Sequence, residues 1–234
     1  MDTADSVEAL RRWLMAGGAV LDKLSVRPVG GGERALCTSR PVVAGERLAE
    51  IPDALTLTPA HVRSTAFGQG LMAAGLTDDH LLLLAFLRHE APRADSMWRP
   101  YLDTLPVDFP TFPALHALWC APLLHGTRAG QIMQQDAKAT LLRYQALQGY
   151  PLGAEPGFSK ALHLSLLLHT RTFGLRHGEA LSPALVPYLD MANHAGERSA
   201  RWGHDAARGL VYLDACRPHA ADEEVVVSYG PLSN

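Results

Sequence analysis

Val186-Pro187-Tyr188-Leu189-Asp190-Met191-Ala192-Asn193-His194 gathers an acid, an amide and an imidazole just after a proline. Alone, such a stretch is a turn or a helix cap, because Asp and Asn side chains hydrogen-bond their own backbone. Its meaning comes from what lies on either side. Downstream, Asp222-Glu223-Glu224-Val225-Val226-Val227-Ser228-Tyr229-Gly230 reads as an acidic turn feeding an apolar strand that ends in a tyrosine. Upstream, Gly30-Gly31-Gly32-Glu33-Arg34-Ala35-Leu36 is a glycine turn. Glycines there let a backbone come close to a ligand. Each stretch is ordinary by itself; the three in this order are not.

Working outward, the chain divides into two β-rich ends and a helical middle. Val7, Leu10 and Leu14 make an apolar stripe, with Asp5 and Glu8 at capping-box spacing and Gly17-Gly18 as the stop. Leu24–Arg27, Ala35–Thr38 and Arg47–Ile51 read as short strands separated by Pro28, the glycine run, Pro41, Gly45 and Pro52. Residues 59 to 169 carry a helical pattern. Asp78 or Asp79 caps a helix through Leu81 to His89, Thr127 caps one from Arg128 to Gln148, and Ser159 starts a third. Pro100 to Pro122 reads as an irregular connector. From Ala184 the strand character returns, with Leu210–Leu213 and Glu224–Tyr229 as strands and His219–Glu223 as a polar turn between them. Neither end has enough strands to bury both faces of a sheet. They are expected to pair with each other, giving an α+β fold with the helices inserted.

Composition narrows the function. With 47% hydrophobic residues in 234, the chain can fill a core. A net charge of -3 supplies no broad basic face, so nucleic acid is not expected as a partner. Cys37, Cys120 and Cys216 are far apart and odd in number, which argues against a disulfide framework and for a reducing, intracellular compartment. The longest apolar run, Leu81 to Leu87, is too short to cross a bilayer. The histidines are mostly solitary, and His163 and His169 fall on different faces of one helical stretch, so no metal site is expected.

In combination, these motifs resemble the SET-domain methyltransferases, in particular the branch of Rubisco large-subunit methyltransferase. "GGGERALCTSRPVVAGE" from Gly30, "WRPYLDTLPVDFPTF" from Trp98, Thr170-Arg171-Thr172-Phe173, and the two stretches quoted above follow that branch's order from about Trp13 to Asn234. The resemblance implies a β-rich knotted SET core carrying a helical insert. Residues 1–58 and 166–234 would form the core and 59–165 the insert. It also implies methyl transfer from S-adenosylmethionine to a lysine of a protein substrate. The implied cofactor residues are Gly32, Glu33, Arg34, Arg171, Asp190, Met191, Ala192, Asn193 and His194. Arg171, Asp190 and Tyr229 would border the substrate, with Tyr229 the catalytic group. A monomer in the cytosol, nucleus or a plastid is expected.

The chemistry asks for such groups. In-line displacement at a sulfonium carbon needs alignment above all. A lysine, with a free pKa of about 10.4, must also shed a proton, which an apolar channel favours. Two features depart from the family pattern. Relatives continue past the "SYGPLSN" motif with an aromatic channel residue and a substrate-gripping helical domain, so the chain reads as a fragment or an abbreviated member. A histidine-methylating relative carries asparagine and tryptophan where Phe173 and Leu189 stand here, which favours lysine. Histidine methylation and a non-catalytic SET-like binding module are the competing readings. Gly196 to Asp205, including Trp202, does not align.

Overall fold

Helix α1 runs from Thr3 to Ala16 in the computed structural model, which describes residues 3–30, 33–107, 123–150, 152, 158–177 and 180–228. Its buried face is Ser6, Leu10 and Leu14, one turn apart each time, while Val7 is only half-buried. Asp5 lies in the first turn instead of capping it, and Gly18 at φ 94 ends the helix in a conformation that favours glycine.

The backbone divides into two units, residues 1–58 with 171–234, and residues 59–170. In the first, β1 (Leu24–Gly30) and β2 (Glu33–Thr38) form an antiparallel hairpin with a register shift between Pro28 and Gly30. A three-stranded antiparallel sheet has β3 (Arg47–Pro52) beside β8 (Leu210–Ala215), and β7 (Ala200–Asp205) beyond it. The central strand therefore comes from the far end of the chain, as the shortage of strands at each end requires. β4 (Thr172–His177) and β5 (Ala180–Leu185) make a further hairpin. β6 (Asn193–His194) pairs in parallel with β9 (Val226–Val227).

Residues 222 to 228 tie the unit together. Thr38 N–H donates to Glu223 O, Asp222 N–H to Thr38 O and Val225 N–H to Leu36 O, so this stretch edges β2. Its continuation, β9, ladders with β6. The stretch thus bridges an early hairpin and a late segment. The side chains of Leu10, Leu14, Leu21, Leu36, Ile51, Val186, Tyr188, Val211 and Val225 are fully buried here. Each large apolar side chain of that kind contributes about 1.5–3 kcal/mol of burial.

The second unit is helical: α2 (Pro59–Ser64), α3 (Ala66–Ala73), α4 (Asp79–Glu90), α5 (Arg99–Leu102), α6 (Arg128–Leu147) and α7 (Phe158–Arg171), whose last residue opens the returning segment of the first unit. Two of the expected caps are found, whereas Ser159, expected to start the third helix, lies inside α7 one residue after Phe158. Asp78 accepts from Leu81 N–H at 2.8 Å and Thr127 from Gly130 N–H at 3.1 Å. Leu82 to Leu87 of α4 are all buried, so the middle of this helix is enclosed on every side, while His80 near its start is exposed.

Four sequence expectations are corrected. Arg99–Leu102 is a short helix inside the expected connector, Pro100 being tolerated in a first turn; residues 108–122 lie outside the described residues. Strand structure returns at Thr172 and not at Ala184, because β-branched Thr172 and Phe173 follow the helix end directly. The 196–205 loop contains strand β7. Within the strand expected over Glu224–Tyr229 the ladder covers Val226–Val227, since the Glu223 carbonyl and the Val225 N–H bond to β2 instead; Tyr229 lies outside the described residues. Among the described residues no helix is long and apolar enough to cross a membrane, and no group of His, Cys, Asp and Glu has a metal-holding arrangement.

Candidate functional site

The Leu185–His194 path begins with a strained turn. Tyr188, fully buried, adopts φ 74 and ψ −44, outside the region that L-residues prefer. Such a conformation costs about 1–3 kcal/mol and persists only where neighbours over-determine it. Here they do. Asp190 N–H donates to Val186 O at 3.1 Å, and Met191 N–H to Tyr188 O at 3.2 Å, closing the single turn of 3-10 helix Leu189–Met191. Burial pushes the Tyr188 hydroxyl up to about 12, so it stays protonated.

That turn delivers Asp190 to Arg171. One guanidinium nitrogen donates to the Asp190 carbonyl at 3.0 Å and to its carboxylate at 3.1 Å. The Asp190 side chain is 0% exposed and that of Arg171 16%. A carboxylate so deep needs a cation beside it, and Arg171 fixes both its charge and the path of its backbone. Met191 and Ala192 are buried next to it.

Asn193 ties three parts of the chain together. Its amide donates to the Arg34 carbonyl at 3.1 Å and to the Glu224 carboxylate at 2.8 Å. The hairpin β1–β2, the 190–194 segment and the 222–228 stretch therefore meet at one side chain. His194 lies half-buried in β6, its backbone paired with Val227. Cys37 sits at the same junction, bridged across the backbone to Glu224; burial first, and then the Glu224 charge, push its thiol up.

Of the residues expected at a site, Arg34, Arg171, Asp190, Met191, Ala192, Asn193 and His194 thus share one neighbourhood around two clamps. Glu33 is described as a member of β2 opposite Gly30. Gly32 and Tyr229 lie outside the described residues. Three participants escape a reading of sequence alone. Glu224 reads as part of a solvated turn, yet it anchors Asn193. Tyr188 carries its strain without any sequence signal. Trp202 meets Phe173 edge to face at 5.0 Å, which places the unaligned segment beside the strand that follows Arg171.

This architecture matches proteins already known. No family model matches the chain. Actin-histidine N-methyltransferase of Drosophila melanogaster is 25% identical over 97% of this chain and 47% of its own length. The chloroplastic ribulose-1,5 bisphosphate carboxylase/oxygenase large subunit N-methyltransferase of Nicotiana tabacum is 24% identical over 80% of this chain and 39% of its own. The solved SET domain of LSMT bound to lysine and AdoHcy superposes with a TM-score of 0.80 at 19% identity, over 97% of this chain and 54% of that one. The fold is that of the SET domain, and the chain is a relative of the SET-domain methyltransferases that include the Rubisco large-subunit enzyme. It spans about half the length of the curated relatives it matches.

Proposed function

We propose that this chain carries the catalytic SET unit of an S-adenosylmethionine-dependent protein-lysine N-methyltransferase. The observation that supports this reading most is the junction at Asn193. A glycine-bearing hairpin, a buried acid–guanidinium clamp and the stretch leading to Tyr229 are held together there, in a fold shared with proteins named as methyltransferases.

The donor set fits the cofactor. A zwitterion with a sulfonium asks for a cation, exposed backbone donors and acceptors, and apolar cover. Arg171, the backbone of Glu33 and Arg34, and the segment Asp190–His194 are assigned to hold it. When bound, the cofactor supplies a methyl group already activated by its positive sulfur. The protein's own work is alignment and desolvation. Arg171 holds the Asp190 backbone so that its carbonyl points in a fixed direction. Phe173 and Leu189 are assigned to line the acceptor channel, where side chains of carbon only would exclude water and favour the neutral amine. The Tyr229 hydroxyl is assigned to orient that amine.

A lysine acceptor is supported by Phe173 and Leu189, which offer a heteroaromatic ring no hydrogen-bond partner. Histidine is the second reading, favoured by the Drosophila relative's activity. Residues 59–165 are assigned as an insert in the SET core, and a monomer acting inside the cell on a protein substrate is the proposed setting. Calorimetric titration with S-adenosylmethionine and S-adenosylhomocysteine, followed by amino-acid analysis of methyl-labelled protein product, tests all of this. Micromolar binding and methyl-lysine support the proposal. Methyl-histidine moves it to the second reading, and a folded protein that binds neither compound refutes it in favour of a non-catalytic binding module.

A further inference from the structure

A cavity of about 510 Å³ lies between α1 and β1, within the range of small-molecule sites. One wall is a single face of α1, with Ala4, Val7, Glu8 and Arg11 at helical spacing. The opposite wall is β1 from Leu24 to Pro28, and Tyr188 also lines the space. Of the residues assigned to the cofactor, Arg34 alone contributes to this lining. Asn193 engages Arg34 through the backbone carbonyl, so main chain and side chain of that residue serve different places.

The lining carries three arginines, Arg11, Arg27 and Arg34, against two carboxylates, Glu8 and Asp22. Arg27 is held by Asp222, and Asp22 is 3.8 Å from Arg40. Arg11 is half-buried, and its positive charge lies close to the buried hydroxyl of Tyr188, which itself donates to the Leu24 carbonyl. Among the described residues it has no ion pair with a carboxylate. Glu8, one turn away on the same face, is exposed to solvent and makes no ion pair with it, so an arriving anion satisfies the half-buried guanidinium through charge-assisted hydrogen bonds. Ser25, also in the lining, has its hydroxyl shut off from solvent with no hydrogen-bond partner. Rotation about its Cα–Cβ bond would turn that hydroxyl into the cavity as a second donor.

We propose that this cavity is a binding site for an amphipathic organic anion. The apolar body lies against Val7, Leu24 and Val26, and the acid group sits on Arg11 with Ser25 beside it. The proposal does not depend on the methyltransferase reading, since it concerns a different set of side chains.

Anilinonaphthalene sulfonate, which has an apolar ring system and one fixed negative charge, is the probe. Calorimetric titration of the full chain is expected to show one saturable site. Arg11→Gln is expected to weaken it about tenfold or more, the loss of a charge-assisted hydrogen bond. Ala4→Trp fills the cavity from an exposed helix position and is expected to abolish binding without changing the melting temperature. Saturating S-adenosylhomocysteine is expected to leave the titration unchanged. Equal binding by wild type and Ala4→Trp overturns the proposal, because the dye then sits elsewhere. Displacement by S-adenosylhomocysteine also overturns it, because the cavity is then part of the cofactor site. Should Arg11→Gln fail to fold, Ala4→Trp decides.

Discussion

Asn193→Ala removes a side chain that joins the hairpin, the 190–194 segment and the 222–228 stretch. Two hydrogen bonds go with it, one to the Arg34 carbonyl and one to the Glu224 carboxylate. A neutral hydrogen bond contributes about 0.5–1.5 kcal/mol and one to a charged group about 1.5–3 kcal/mol. Glu224 is half-buried, so water recovers part of its loss, and the sum falls near the lower ends, about 2–3 kcal/mol. For a chain of this size each kcal/mol moves Tm by about 2–4 °C, so a fall of roughly 5–10 °C is expected. Urea and thermal unfolding of Asn193→Ala, Glu224→Ala and the double variant measure it. The single losses should exceed the double's by about 1–2 kcal/mol in total, because both variants remove the same bond. A loss under about 0.5 kcal/mol for Asn193→Ala, or strict additivity, refutes the clamp.

Other perturbations follow from the same geometry. Arg171→Met takes the guanidinium from a fully buried carboxylate and should cost about 3–5 kcal/mol in urea unfolding; adding Asp190→Asn should recover part of the loss. Gly68→Ala would put a methyl 1.9 Å from the Val62 carbonyl oxygen and should cost about 3 kcal/mol or more. Gly70→Ala in the same helix meets nothing within 4 Å and should stabilise by about 0.5–1 kcal/mol; far-UV melting curves separate the two. His219 is 3% exposed, and burial first, then Arg217, holds its imidazole below the usual histidine range. The folded state therefore takes up its proton less readily than the unfolded state. Its contribution is complete above about pH 6.5 and is lost as pH falls toward the depressed folded value. His219→Gln should flatten the decline of Tm between neutral and mildly acid pH.

What could be read from the sequence was local. Asp78 and Thr127 cap their helices through residues three positions on, so side-chain type and spacing suffice to place them. The β1–β2 hairpin announces itself by strands on either side of a glycine turn. Pairing between distant segments leaves no such trace. β7, Ala200–Asp205, lacks a clean apolar alternation, and its place is set by β8 on one edge and by His204 reaching the Arg176 carbonyl. Likewise, nothing near Glu224 marks it as the partner of Asn193, because the carboxylate acquires that role only when the 222–228 stretch edges β2. The cavity beside Arg11 was invisible for the same reason. Val7 reads as core by spacing, but the face that α1 buries is Ser6, Leu10 and Leu14.

The order of the three-stranded sheet also fixes a timetable. Ile51 has Val211 as its ladder partner, and Leu36 waits for Val225. During synthesis at about 5–20 residues per second, β3 leaves the ribosome roughly 8–30 s before β8 does. The helices of Pro59–Thr170 rely on contacts that are complete by then, whereas β3, paired with Val20 through Glu50 on one edge, stands with its β8-facing groups bare. Closure of the sheet is thus a late, long-loop event, and refolding should be slow for a chain of this size. A message cut short before Leu210 would yield a polypeptide with an exposed strand edge and no neighbour to cover it, a substrate for chaperones and for aggregation.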